Sequence, residues 1–198
     1  MVLLLLLMAA APVSLELEIA GGLGQPSADA PQNGPTAPAL QARVGADFLE
    51  HVTVSAVVLG VAGSETARSF CGGGAGCNME ASFRAISALA TLRLHTAGDW
   101  QAFVEGGIGP GHLISESADD LFENPAQHGR GGAAFLLAGG GRWFVARQMA
   151  LGFEVAWTRW THVSRPAFTY GVEDFPARSD LGVNALLLLL TVGWSAGR

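Results

Sequence analysis

Residues 149–161 read MALGFEVAWTRWT, and they separate by size when every second position is taken. One set holds the large apolar residues Met149, Leu151, Phe153, Val155 and Trp157. The other set holds the small or polar residues Ala150, Gly152, Glu154, Ala156 and Thr158. Alternation with period two predicts a β-strand, because successive side chains of a strand point to opposite faces. A bulky face towards lipid and a small, polar face towards a narrow interior are typical of a membrane barrel.

The composition is compatible with membrane-spanning strands and disfavours membrane-spanning or bundled helices. Of the 198 residues, 49% are hydrophobic, and the mean hydropathy of +0.34 is high for a soluble protein. No internal run approaches the roughly 20 apolar residues that a transmembrane helix needs. The 27 glycines argue against a helical bundle, because each costs about 1 kcal/mol in a helix interior. Two classes remain, a β-barrel and an unusually apolar soluble protein.

Seven more segments alternate in the same way. We predict further strands at residues 14–23, 40–48, 52–62, 82–95, 100–114, 131–145 and 181–194. The connections are alternately long and short, and the long ones cover residues 24–38, 63–81, 115–130 and 162–179. An even number of strands with this alternation is typical of outer-membrane barrels. The predicted fold is all-β, an eight-stranded antiparallel up-and-down transmembrane β-barrel with four long extracellular loops.

Eight charged residues share the small-residue face of the predicted strands. They are Glu16, Glu18, Arg43, Asp47, Arg93, Glu105, Arg142 and Glu154. An arginine facing lipid at the bilayer midplane would cost about 2–4 kcal/mol, so this face is predicted to point inward. An eight-stranded barrel is just wide enough for side chains to fill it. We therefore expect a packed charge network in the lumen and not an open pore.

Aromatic residues lie near both ends of the predicted strands. The residues concerned are Phe48, Trp100, Trp143, Trp157, Trp160 and Trp194. If the short turns and both chain termini face the periplasm, Trp157 and Trp160 lie near the outer edge and the other four near the periplasmic edge. Because amphipathic rings prefer the membrane interface, all six are predicted to be membrane-interface aromatics.

The first residues, MVLLLLLMAAAPVS, resemble a secretory signal peptide. An apolar run is followed by alanines that suit cleavage after Ala11, although no Arg or Lys precedes the run. We predict that residues 1–11 are the signal peptide and residues 12–198 the barrel domain. The alternatives are a buried first strand and a membrane anchor, for which the run is short.

The two cysteines, Cys71 and Cys77, enclose the sequence GGGAG. A zinc site would need more ligands close by, and a redox pair of the Cys-x-x-Cys kind has a different spacing. The spacing favours a disulfide that closes a small loop, and such a bond would form in an oxidising compartment.

Four segments together resemble the small outer-membrane β-barrel families. These segments are LELEIAGGL (15–23), WQAFVEGGIG (100–109), MALGFEVAWTRW (149–160) and the closing strand up to Trp194. The resemblance is to the OmpA transmembrane domain, OmpX and OmpW groups. It implies a monomer in the outer membrane of a Gram-negative-type envelope, with a structural or surface-interaction role. The implied partners are the lipid bilayer, lipopolysaccharide and the outer-membrane assembly machinery.

A second resemblance concerns a possible active site. His162 and Ser164 form a His-x-Ser pair at the outer end of a strand, and Asp180 follows. This pattern is similar to the lipid A 3-O-deacylase barrels, in which it implies a nucleophilic Ser, a His base and an orienting acid. Arg165 follows the Ser here, where that family usually has Asn. Because of this difference, none of the three residues is favoured as catalytic, and an esterase is kept as an alternative function.

Other functions have little support in the sequence. Net charge is −6, there is no Lys and no basic cluster, so no nucleic acid is expected as a partner. We predict no metal site and no cofactor, because the histidines and acids lack ligand spacing. A narrow, porin-like solute channel and a soluble lipocalin-like carrier remain as further alternatives.

Overall fold

The computed structural model describes residues 14–28, 36–48, 51–70, 76–119, 122–165, 168–170, 173–175 and 178–196. Within these ranges the chain forms ten β-strands. Among the same residues there is no helix of the length and apolarity needed to cross a membrane.

Eight of the strands form a closed barrel. They are β1 (Ser14–Ala28), β2 (Ala37–Phe48), β3 (Val52–Phe70), β4 (Gly76–His95), β5 (Trp100–Asp119), β6 (Phe122–Ala146), β7 (Met149–Arg165) and β10 (Arg178–Ala196). Every neighbouring pair is antiparallel, and β10 closes the barrel by pairing with both β7 and β1. The remaining strands, β8 (Phe168–Tyr170) and β9 (Glu173–Phe175), form a separate hairpin. The predicted eight-stranded antiparallel barrel is confirmed.

The strands are longer than the sequence alternation indicates. β6 has 25 residues and β5 has 20, and their pairing continues to Asp119 and Phe122. The pairing of β3 with β4 likewise continues to Phe70 and Gly76. Much of the predicted loops at 63–81 and 115–130 is therefore strand. The alternation of apolar and small or polar side chains ends where the apolar outer surface ends. The strands continue further because the hydrogen bonds between them are made by the backbone and do not depend on side chains.

The two ends of the barrel differ. The short connections β2–β3, β4–β5 and β6–β7 lie at one end, which we call the turn end, and the opposite end is the hairpin end. In the β4–β5 connection Gly98 has a φ of 106°, a conformation that residues with a Cβ rarely adopt. The Thr96 N–H there donates to the Ala102 carbonyl at 3.0 Å, which closes the tight turn.

The outer surface of the barrel is an apolar belt. Along each strand, alternate side chains point out, and the large ones stay exposed, such as Leu190 at 72% and Leu40 at 68%. The intervening side chains point into the lumen and are buried, as the burial of β2 shows at every second position. This is the reverse of a soluble barrel, since the bulky side chains lie outside.

Candidate functional site: the barrel lumen

Two arginines and three glutamates meet in the lumen. Arg43 comes from β2 and Arg93 from β4, while Glu18, Glu105 and Glu154 come from β1, β5 and β7. All five side chains are at most 6% exposed. We call these five residues the central charge cluster. Each occupies an inward-facing position of its strand, so barrel closure joins residues that are up to 111 positions apart.

Each guanidinium of the central charge cluster contacts all three carboxylates. Arg43 donates to Glu18, and its Nη2 lies 2.8 Å from Glu105 Oε2 and 3.3 Å from Glu154 Oε2. Arg93 Nε lies 2.8 Å from Glu105 Oε2, while its Nη1 and Nη2 lie 3.2 Å from Glu18 Oε2 and Glu154 Oε2 respectively. Hydrogen bonds between ionised partners are the stronger kind, so the cluster ties five strands together.

The central charge cluster holds one more carboxylate than guanidinium groups. Gln41 Nε2 donates to both oxygens of Glu154, at 3.3 and 3.4 Å, which supports the additional negative charge. Among the described residues, Glu105 Oε1, Arg43 Nε and Gln41 Oε1 have no hydrogen-bond partner. Losing an arginine would therefore worsen the imbalance, whereas neutralising one glutamate would remove it.

A second polar group lies nearer the turn end. Arg142 Nη1 is 2.7 Å from Glu16 Oε2, and Arg142 Nε donates to Gln101 Oε1 at 2.6 Å. These side chains come from β6, β1 and β5 and are also buried. Ion pairs therefore cross the lumen both in the central charge cluster and closer to the turn end.

A third polar group joins β2 to β4 across β3. His95 Nε2 lies 2.9 Å from Asp47 Oδ1, and His95 Nδ1 lies 3.2 Å from the Thr96 carbonyl oxygen. Thr53 of β3 donates its hydroxyl to the same Asp47 oxygen at 3.4 Å. These contacts extend the polar part of the lumen to the turn end.

Two phenylalanines stack on the lumen arginines. The Cζ atom of Arg93 lies 3.9 Å from the ring centroid of Phe103, and that of Arg142 lies 5.4 Å from the centroid of Phe144. Both distances fall in the range of cation–π contacts. The rings fill space beside the guanidinium groups while leaving their hydrogen-bonding edges to the carboxylates.

The lumen near the hairpin end is apolar. Its largest buried side chains are Val57, Leu59, Leu89, Leu113, Leu136, Leu187, Leu189 and Trp160, separated by alanines. Gly111 faces Trp160 so closely that a Cβ would lie 2.6 Å from the Cδ1 atom of the indole. We call this part the apolar plug. Side chains therefore fill the lumen at two levels. The charged level lies towards the turn end, and the apolar plug lies towards the hairpin end.

All eight charged residues predicted for the lumen occupy inward-facing positions. Seven are buried, and the side chain of Asp47 is 15% exposed near the turn end. Two further lumen residues were not predicted: Gln41 donates a hydrogen bond to Glu154, and Gln101 accepts one from Arg142. Both glutamines have the same strand parity as the charged residues, so the alternation contained a signal that could have found them.

The aromatic residues divide differently from the prediction. Trp100, Trp143 and Trp194 are about half exposed on the outer surface towards the turn end, and Trp157 is 39% exposed on the same surface. Phe48 is half-buried. The prediction for Trp160 is wrong, because its side chain is 2% exposed and packs in the apolar plug. Trp160 and Glu154 both occupy even-numbered positions of β7, so both side chains point into the lumen.

The possible catalytic residues lie on adjacent strands. His162 and Ser164 belong to β7 and Asp180 belongs to β10. The register pairs Val163 with Leu181 and is irregular between Arg178 and Leu181. The side chains of the three candidates lie outside the described part of the chain, so a catalytic role stays a prediction.

The proposed disulfide and signal peptide also fall outside the described residues. Cys71 lies in the gap between β3 and β4, and Cys77 is described by its backbone alone, opposite Ser69. Residues 1–11 precede the first described strand. Both features stay predictions.

Similarity to known proteins is visible in three dimensions and not in sequence. No protein-family model matches the chain, and no curated protein matches it. Among solved structures, the attachment invasion locus protein Ail of Yersinia pestis aligns with a TM-score of 0.58 at 10% identity, covering 92% of this chain and 98% of that chain.

Two further structures align over similar lengths. The outer membrane protease OmpT from Escherichia coli has a TM-score of 0.55 at 8% identity, covering 93% of this chain and 97% of that chain. The outer membrane protein OprG from Pseudomonas aeruginosa has a TM-score of 0.52 at 12% identity, covering 92% and 96%. At such identities the likeness establishes the fold, which is that of the outer-membrane β-barrels predicted from the sequence.

Proposed function

We propose that this chain, with its outer-membrane barrel fold, is a structural or surface-interaction protein of the outer membrane in a Gram-negative-type envelope. It spans the bilayer as a monomer and presents its hairpin end to the exterior, among lipopolysaccharide molecules. The outer-membrane assembly machinery inserts it after removal of residues 1–11. The observation that carries the proposal is the combination of an apolar outer belt with a lumen filled by side chains.

The belt supports a lipid environment. Leu186, Leu188 and Leu190 alternate along β10 with exposed fractions of 56%, 61% and 72%. A continuous band of such residues around a monomer far exceeds the apolar patches that soluble proteins tolerate. Trp100, Trp143 and Trp194 near the turn end suit a membrane interface, where indole rings prefer to lie.

The filled lumen argues against a solute channel. An ion crossing the barrel would meet the central charge cluster, whose members are each bound by several partners. It would then meet the apolar plug, where Leu59, Leu187 and Leu189 are fully buried. Opening a path would require both levels to rearrange.

The hairpin end supports a role at the surface. At this end the four strands β3 to β6 extend further than their neighbours. They stay paired with one another beyond the start of β2 and beyond the last residue pair between β6 and β7. Among the described residues, 126–132 of β6 pair with β5 and not with β7, since the backbone pairing with β7 starts at Ala134 and the Thr161 hydroxyl reaches only as far as the Ala133 carbonyl. A sheet with such an open edge is a surface to which another protein can add a strand.

Heat-modifiability tests the membrane fold. The chain is refolded into detergent and run unboiled and boiled on an SDS gel, with β-type circular dichroism measured on the same sample. We expect a mobility shift on boiling and a light-scattering mass of one chain per micelle. A chain that remains soluble without detergent and shows no shift would contradict the proposal and favour the lipocalin-like carrier.

Conductance separates the structural role from the channel. The refolded protein is inserted into a planar bilayer, and we expect no steady ion current. The matched control is Leu187→Gly with Leu189→Gly, which opens space in the apolar plug while leaving the central charge cluster in place. Steady currents from the unmodified chain would contradict a sealed lumen.

A further inference from the structure

β6 and β7 are neighbours in the barrel, but the pairing between them ends before either strand does. Their last backbone pair is Ala134 with Trp160, and both strands continue towards the hairpin end beyond it. Among the described residues there, 126–132 of β6 pair with β5 and not with β7, while Val163 and Arg165 of β7 pair with β10. We call the unpaired gap between the two strands the β6–β7 slot, and residues 126–132 its β6 edge.

Two threonine hydroxyls bind β6 at the base of the β6–β7 slot. Thr161 Oγ1 donates to the Ala133 carbonyl at 3.2 Å, one position beyond the last backbone pair. Thr158 Oγ1 donates to the Phe135 carbonyl at 3.0 Å, on the other side of that pair. The register of an antiparallel pair persists unless a bulge interrupts it, so the contacts at the base also set the register that the two strands would have above it.

Continuing this register brings the two unpaired edges together. In an antiparallel pair each step forward along β7 is matched by one step back along β6. From the pair of Ala134 with Trp160, the continuation places residues 129–133 of β6 opposite residues 161–165 of β7. The next residue in the sequence is Pro166, which has no N–H to donate, so the added pairing would end there.

The β6 side of the slot is rich in glycine. Residues 129–132 read GRGG. Glycine loses more conformational freedom on ordering than any other residue, and it offers no side chain to pack within a strand. Closing the slot would form backbone hydrogen bonds at the cost of this freedom, so the gain is largely offset. Close packing does not require glycine here, because a Cβ at Gly131 would meet nothing nearer than 3.9 Å.

We propose that residues 161–165 of β7 are a strap, which pairs with residues 129–133 of β6 and closes the β6–β7 slot. The inference rests on the proposed role at the surface, in which another protein adds a strand to the open edge of β6. A partner strand and the strap need the same N–H and carbonyl groups of β6, so they exclude each other. The strap therefore covers the β6 edge until a partner displaces it, and it protects an exposed edge from unspecific pairing.

Disulfide trapping tests the closed state. Gly131→Cys with Val163→Cys is made in a background of Cys71→Ser and Cys77→Ser, and the refolded barrel is oxidised with copper phenanthroline. The two positions are directly opposite in the continued register, where Cβ atoms are about 5 Å apart and a disulfide can form with little movement. Gly131→Cys with Arg165→Cys is the matched control, because this diagonal pair is about 7–8 Å apart. We expect the first pair to cross-link and the second to stay reduced.

Hydrogen exchange measures what closure does to the β6 edge. We expect the 131–163 cross-link to slow amide exchange in residues 126–132 at least about tenfold relative to the reduced form of the same variant. Gly131→Thr should slow it as well, because threonine favours strands and has room there. Gly106→Thr is the matched control, since a Cβ at this outward-facing glycine of β5 has no atom within 4 Å, and it should leave the exchange of these amides unchanged.

Three results would overturn the strap: no cross-link between positions 131 and 163, equal cross-linking of the diagonal pair, or exchange at the β6 edge that the cross-link does not slow. None of these measurements needs a partner, so they concern the strap and not the identity of what binds. Each sample is first checked for the heat-dependent gel shift. An absent shift would contradict the membrane fold itself, so the two failures are distinguishable.

Discussion

The two levels of the lumen fill the same barrel with opposite chemistry. In the central charge cluster, Arg93 reaches three carboxylates within 3.2 Å, and the position of each atom matters. In the apolar plug, Leu187 and Leu189 are equally buried but make contacts without direction. The comparison separates two ways of filling a narrow interior. Charges require specific partners on other strands, while hydrocarbon requires volume.

The difference predicts unequal tolerance to substitution. A buried ion pair leaves an uncompensated charge when one partner is lost, whereas a truncated apolar side chain leaves a cavity that its neighbours can partly fill. Four substitutions, two in each level, test this difference, and the effect of each is measured as a change in the free energy of unfolding in urea. Folding is followed by tryptophan fluorescence and the unboiled gel shift.

Arg93→Met should have the largest effect. It leaves Glu18, Glu105 and Glu154 with Arg43 as the one remaining cation of the described cluster, and it removes the stacking on Phe103. We expect a loss of about 3–5 kcal/mol in the free energy of unfolding, typical of a broken buried pair. A loss below 1 kcal/mol would mean that water or rearrangement replaces the guanidinium and that the cluster is not rigid.

Leu187→Ala tests the apolar plug at full burial. Removing this side chain leaves a cavity beside its neighbours in the plug, and we expect a loss of about 2–4 kcal/mol. Leu187→Met is the control, because it keeps the volume and should lose less than about 1.5 kcal/mol. If methionine were as damaging as alanine, the plug would depend on shape as strictly as the ion pairs do.

Gly111→Ala tests the close packing against Trp160. The new methyl group would lie 2.6 Å from the indole Cδ1 and 2.9 Å from the Ala134 Cβ, so we expect a loss of about 1–3 kcal/mol. Adding Trp160→Leu should recover part of that loss, because it removes the obstructing ring. A double variant no more stable than Gly111→Ala alone would show that the backbone and not the indole limits this position.

Glu154→Gln should have the smallest effect and gives the sharpest comparison with Arg93→Met. It leaves two carboxylates with two guanidinium groups, and the new amide can donate to Gln41 Oε1, which has no partner among the described residues. We expect a change within about 1 kcal/mol. A loss as large as that of Arg93→Met would mean that all three negative charges are required.

Most of the fold could be predicted from alternation, because the barrel has opposite chemistry on its two faces. The strand 149–161 carries this signal in full, with Phe153 outward and Glu154 inward. The same parity rule places Gln41 and Trp160 inward, although residue type alone singles out charged residues for the lumen and tryptophans for the interface. The outer parts of β5 and β6 could not be predicted, since backbone pairing there continues without an apolar face.

The division of the lumen into two levels was beyond the sequence. Parity identifies which side chains point inward, but their height depends on the stagger between strands, which no single strand contains. Arg43 and Glu154 are 111 residues apart and meet because the barrel closes with a particular stagger. The sequence therefore predicts which charged residues face the lumen, but not which of them pair with one another.

The span of the central charge cluster has a consequence for the order of assembly. Glu18 and Arg43 lie on strands that follow each other in the chain, so this pair can form in the first hairpin. Glu154 lies on β7, and its cations come from β2 and β4. A partly inserted sheet would carry this carboxylate without neutralisation in a medium that penalises it. Closure of the barrel is then the step that brings Glu154 to its two arginines. This favours completion of the barrel over release of an open intermediate.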